Sequence, residues 1–168
     1  MTEEKFRVYI ASSFDFIEGI KTEIIPLIRD IWGDQLQITR DWWANNVDLD
    51  VKHDDTSFPD FLGNGITRAL CELDFSAIDI SDIVIVYNPR VGKRLTGALI
   101  EAGYAWGKGK TVYLYGWFKK SAILSRGIYV NNENELKTIL KLYKVGYDWN
   151  NDGKLEELTD VSDTEEEN

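Results

Sequence analysis

Sulfur, imidazole and positive charge are scarce in this chain. Its 168 residues include one cysteine, one methionine, one histidine and three prolines. A single thiol, Cys71, excludes an intramolecular disulfide and fits a reducing compartment. The lone histidine, His53, sits between Lys52 and Asp54 with no cysteine or second histidine at ligand spacing, so it reads as exposed and structural. No metal site is expected. Lys and Arg number 19 against 29 Asp and Glu, a formal net charge of −10. That balance argues against a general nucleic-acid-binding surface, while a local basic loop can still hold one phosphate group. No apolar run approaches the ~20 residues that span a bilayer. The opening MTEEKFRVYI has no long apolar core of the kind a secretory signal carries. A cytoplasmic protein without membrane contact is expected.

What is present describes a globular domain. Hydrophobic residues make up 43% and charged residues 29%, and the length suits one domain with a sizeable core. Short β-branched or aromatic runs read as strands at Phe6–Ala11, Leu36–Arg40, Ile83–Tyr87, Thr111–Tyr115 and Gly127–Val130. Between them, helical spacing appears over Phe14–Trp32, where Pro26 should kink or divide the helix. It appears again from about Phe58 or Gly65 to Ile80, over Thr96–Gly107, and over Glu135–Tyr143 with Asn134 as cap. Asp82 is placed to cap the entry to the third strand. Strands alternating with helices predict an α/β three-layer sandwich with a five-stranded parallel sheet, flavodoxin-like or Rossmann-like. The domain is assigned to residues 1–145. Residues 146–168 form an acidic tail read as flexible. Within it, Asp148 to Gly153 matches the first half of an EF-hand loop, but the twelfth position is Thr159 where a bidentate Glu belongs, so a turn is expected there.

The stretch from Asp82 to Gly116 carries the chemistry. Strand, loop, helix, strand make a βαβ unit, and ligands of open α/β sheets bind beyond the carboxyl ends of the strands. Here that means the loop from Asn88 to Gly97, which holds Arg90, Lys93 and Arg94. Glu101 is the only charge between Leu95 and Trp106, in a helix otherwise apolar or small. A carboxylate in such a helix is costly to bury unless something pairs with it or uses it. Ala11, Ser12 and Ser13 end the first strand on the same rim, where hydroxyls suit close approach of a ligand or capping of a helix. Asp41 and Trp42 follow the second strand, and Trp42 with Trp43 can form a stacking wall for a base or sugar. Asn45 to Asp60 lacks periodicity and reads as an active-site loop or lid.

Taken together, VYIASSF near the start, Asp41-Trp42, Asp74 eight residues ahead of Asp82, and GALIEAGYAWGKGKTV resemble the nucleoside 2-deoxyribosyltransferase family. That family includes 2'-deoxynucleoside 5'-monophosphate N-glycosidases. The resemblance covers about Phe6 to Tyr115, and its most specific part is E-x-G-Y-A followed by G-K. It implies a flavodoxin-like fold and cleavage of an N-glycosidic bond. It further implies that Glu101 attacks C1' of deoxyribose, that Asp74 lies near the base, and that Tyr9 helps hold the nucleophile. One position departs from the pattern: many members place an Asp six residues before the nucleophile to recognise the base, and Leu95 stands there, with Gly97 kept and Ala98 in place of a Thr.

Residues and resemblance together single out Glu101, Asp74 and Tyr9 as catalytic. Ala11, Ser12, Ser13, Asp41, Trp42, Asn88, Arg90, Lys93, Arg94 and Gly97 are singled out as substrate-binding. A carboxylate can trap or stabilise an oxocarbenium-like carbon, and a departing base needs a proton, so neither a metal nor a redox cofactor is required. The basic loop suits an anionic substrate. Three readings stay open: cleavage of a deoxynucleoside or its monophosphate with transfer to a base or to water; a glycosidase acting on a larger nucleotide such as NAD; or a nucleotide-binding module on the same fold. A small-molecule substrate and a homo-oligomer are expected.

Overall fold

The computed structural model describes residues 5–43, 63–93, 95–119, 121 and 124–146, with backbone alone over 63–68. His53, Arg94, the Asn45–Asp60 loop and the acidic tail beyond Gly146, with its partial EF-hand, lie outside the described residues.

Five strands form one parallel sheet in the order β2-β1-β3-β4-β5. They are β1 (Phe6–Ala11), β2 (Leu36–Ile38), β3 (Ile83–Asn88), β4 (Thr111–Gly116) and β5 (Ile128–Val130). Every residue of β3 is buried, as its unbroken apolar run requires of a strand covered on both faces. The chain steps from β1 outward to β2, then returns to the other side of β1 for β3. Right-handed crossovers therefore place the helices on opposite faces. Helix α1 (residues 17–32) and α4 (Glu133–Lys144) pack together on one face. On the other face lie α2 (Gly63–Asp79) and α3 (Thr96–Gly107), also in mutual contact. The three-layer α/β architecture is the one expected from the alternation of elements.

Local differences from the expected boundaries have local causes. Pro26 is the second residue of the α-helical stretch Ile25–Trp32, and a π-helical turn, Ile20–Ile24, precedes it. There the Ile25 N–H reaches back five residues to the Ile20 carbonyl, which opens the turn where a proline ring would crowd it. Strand β2 stops at Ile38, although the Thr39 N–H still bonds the Val8 carbonyl at 2.9 Å. Asn132, not Asn134, caps α4: its side chain accepts from the Glu135 N–H at 3.0 Å. Glu135 in return accepts from the Asn131 N–H at 2.8 Å, a reciprocal cap that fixes the earlier start. Asp82 does secure the entry to β3, accepting the Arg7 backbone N–H at 2.8 Å and its guanidinium at 2.6 Å.

At the far end of β3 the fit to β4 is tight. Gly116 has φ +107°, and a Cβ there would lie 2.1 Å from the Asn88 carbonyl oxygen. That oxygen accepts the Trp117 N–H at 2.8 Å, so it cannot simply swing away. Gly116→Ala is therefore expected to destabilise the fold by at least ~2 kcal/mol, combining a left-sided φ with a backbone clash. Urea unfolding measures this, and an unchanged midpoint would mean that the end of β4 can rearrange freely.

Candidate active site

Helix α3 brings Glu101 to the sheet by its periodicity. Ala98, Ala102 and Ala105 are buried, and with Glu101 they occupy positions i, i+4, i+7 and i+3 of one stripe. The methyl side chains let the helix approach β1 and β3 closely, and Glu101 fills the one polar slot on that face. The slot opens on Tyr9, which lies in the middle of β1 and is wholly buried.

Tyr9 donates its hydroxyl proton to Asp74 Oδ1 at 2.8 Å, and the same hydroxyl is within hydrogen-bonding reach of Glu101. Asp74 comes from α2, and its Oδ1 also accepts from Arg40 Nη1 at 2.6 Å. Arg40 Nη1 reaches the Leu70 carbonyl of α2 as well, at 3.0 Å. Three elements and a strand end thus converge on one small polar cluster inside an apolar layer. Glu101, Asp74 and Tyr9, picked out from the sequence, are brought together. Arg40 is the member that the sequence reading passed over. Its signal was its place directly before Asp41-Trp42, at the carboxyl end of a short edge strand.

Burial dominates the electrostatics. It pushes the Glu101 carboxyl up to about 8, with the charge of Asp74 adding to the rise and Tyr9 and Arg40 opposing it. Asp74 is also raised by burial, against the hydrogen bond from Tyr9 and the charge of Arg40. The Tyr9 hydroxyl is pushed far above the ordinary phenol range, first by burial and then by the two carboxylates, so it stays a donor.

The rim around this cluster is built from the strand ends. Ser12 donates to the Tyr87 carbonyl at 2.7 Å, tying β1 to β3, so its proton is already engaged. The Ser13 side chain accepts from the Asp15 N–H at 3.3 Å and caps the short turn Phe14–Phe16. Ala11 is buried at the end of β1, and Asp41 is exposed just past β2. Trp42 donates its indole N–H to the Ile10 carbonyl at 2.8 Å, which continues the β1 ladder beyond the end of β2. Its ring meets Phe14 edge-on at 5.3 Å and Trp43 at 5.4 Å, leaving a half-exposed aromatic corner. Asn88 is buried, with its amide N–H₂ turned to the Trp117 carbonyl. In the next loop Arg90 is exposed, whereas Lys93 is paired with Asp15 at 2.9 Å. Gly97 is exposed in the first turn of α3, whose start has no side-chain cap; Leu95, at the cap position, is buried.

Among the described residues no group of three or more His, Cys, Asp or Glu side chains could hold a metal ion, and no helix is long and apolar enough to cross a membrane. No protein-family model matches the chain, and no curated protein does. Among solved structures it is similar to a Clostridium botulinum CMP N-glycosidase, BcmB, with 24% identity, a TM-score of 0.49, and coverage of 82% of this chain and 99% of that one. The likeness concerns the course of the chain. The chemistry rests on the side chains described above.

The raised carboxyl has a measurable consequence for stability. Glu101 moves from an ordinary 4.5 to about 8 on folding, so between those values the folded state keeps a proton that the unfolded chain has released. Its contribution to stability is complete below pH 4.5 and is lost as the pH climbs through 8. Glu101→Gln removes that slope. The melting temperature of the variant relative to wild type is expected to rise steadily from pH 5 to pH 8.5, and a difference independent of pH would contradict the buried placement.

Proposed function

We propose that this protein cleaves the N-glycosidic bond of a 2'-deoxynucleoside 5'-monophosphate, with Glu101 as nucleophile and water as final acceptor. The observation that carries the reading is a carboxylate in the sheet-facing stripe of α3, set beside the buried Tyr9 hydroxyl that bonds Asp74. Such a group is costly to keep and has the geometry of a positioned nucleophile. The resemblance to the nucleoside 2-deoxyribosyltransferase family, in GALIEAGYAWGKGKTV and in Asp74, points to the same chemistry.

As the C1'–N bond lengthens, positive charge develops at C1', and an oxygen of ionised Glu101 bonds to that carbon. The electron pair of the breaking bond leaves with the base, which takes up a proton. Asp74 is ionised beside Arg40 and accepts from Tyr9, so the proton comes from solvent water, which is left as hydroxide. Water then attacks C1', the glycosyl ester opens, Glu101 returns as carboxylate, and the proton that water releases neutralises the hydroxide left by the first step. Tyr9 gives its hydrogen bond to whichever carboxylate carries charge.

Two features favour hydrolysis of a monophosphate over transfer between bases. Leu95 is buried where base-exchanging members of the family carry an Asp, so that contact to a second base is missing. The uncapped start of α3, with Thr96 and Gly97 exposed, offers free amides to an anion, and Arg90 lies exposed in the same loop.

The test is release of free base from a panel of deoxynucleosides and their 5'-monophosphates, with and without an acceptor base. Wild type is expected to prefer a monophosphate, and Arg90→Ala to reduce that preference by roughly ten- to a hundredfold. Activity should rise with pH toward 8 as Glu101 ionises, and Glu101→Gln should lose at least ~100-fold. No release from any member of the panel, or a Glu101→Gln variant as active as wild type, would overturn the assignment.

A further inference from the structure

We propose that Arg40 is a positioning residue for the nucleophile: by pairing with Asp74 Oδ1 and anchoring to the Leu70 carbonyl, it balances the carboxylate that otherwise opposes ionisation of Glu101 and competes for the single Tyr9 proton. The proposal rests on the nucleophile assignment above for its catalytic consequence, but not for its electrostatic one.

The groups facing Glu101 from the elements packed on α3 are Tyr9 from β1, Asp74 from α2, and Arg40 from beyond β2. Tyr9 can donate one proton, and that proton is at 2.8 Å from Asp74 Oδ1. Two carboxylates sharing a site cannot both ionise cheaply unless a cation sits beside them. Arg40 is that cation, and its contact at 2.6 Å falls on the very oxygen that accepts from Tyr9. Its guanidinium charge on Oδ1 makes that oxygen a weaker acceptor, which frees the hydroxyl to turn toward Glu101. The second bond of the same nitrogen, 3.0 Å to the Leu70 carbonyl, fixes the guanidinium against α2 one turn before Asp74. Arg40 therefore acts through Asp74 and Tyr9, without touching the reacting carbon.

Arg40→Gln keeps a hydrogen-bond donor and removes the charge; Arg40→Lys keeps the charge and changes the geometry. In Arg40→Gln the pH at which kcat/KM for base release reaches half its plateau is expected to move upward by about one unit or more. Activity at pH 7 should fall roughly tenfold and recover at alkaline pH, while Arg40→Lys stays near the wild-type midpoint. A second readout needs no substrate: the melting-temperature difference between each background and the same background with Glu101→Gln, followed against pH. Its upper break should shift upward in Arg40→Gln and not in Arg40→Lys. If wild type releases no base, the thermal readout still judges Arg40, and the failure lies with the functional assignment. A uniform loss of activity at every pH, with an unmoved thermal break, would overturn the proposal and leave Arg40 a tether between β2 and α2.

Discussion

A carboxylate held against the buried side of an apolar helix must be answered by its surroundings, and much of this fold is arranged around that one requirement. Glu101 is half-buried, in one stripe with the buried Ala98, Ala102 and Ala105. Its partners therefore have to come to it through the sheet and the neighbouring helix. Tyr9 supplies a proton from the centre of β1, and Asp74 and Arg40 supply a balanced pair from α2 and the end of β2. Each of these side chains is held by an element with a separate reason to be there.

The strand order β2-β1-β3-β4-β5 makes that convergence possible. The chain reverses direction across the sheet between β1 and β3, and the crevice beyond their carboxyl ends is the one place where loops diverge to opposite faces. Ser12 bonded to the Tyr87 carbonyl closes the two strand ends together beneath that crevice. Trp42 bonded to the Ile10 carbonyl does the same on the β2 side, where the edge strand has already ended. Lys93 paired with Asp15 links the two loops above. Three contacts thus tie the rim together, and the start of α3 has no side-chain cap.

Much of this was legible in the sequence because its causes are local. Five strands and the helices between them follow from apolar periodicity, and a lone charge between Leu95 and Trp106 marks Glu101 without any structure. Tyr9 and Asp74 came from the family resemblance, and the fold joins them by a hydrogen bond. Other features depend on contacts between distant segments, which periodicity does not encode. Arg40 read as the last residue of a strand, because nothing local says that its side chain will find Asp74, 34 positions away. Ser12 read as a residue for ligand approach or helix capping, because the Tyr87 carbonyl that takes its proton is 75 positions on. The shift of the α4 cap from Asn134 to Asn132 is a smaller case, decided by Glu135 reaching back to the Asn131 N–H.

The small residues of α3 join stability to chemistry. A helix of large aliphatic residues would bury more apolar area, but it would stand further from the sheet and lift Glu101 away from Tyr9. Alanine at 98, 102 and 105 gives up that area and gains proximity. The same closeness strips water from the carboxylate and raises its proton affinity to about 8. Such a group is half ionised around pH 8, so a modest change in its surroundings decides whether it carries charge. Burial and the charge of Asp74 together would have left it protonated at higher pH still. The tyrosine proton and the arginine charge bring it back into range, so the packing of α3 and the polar cluster beneath it form one device.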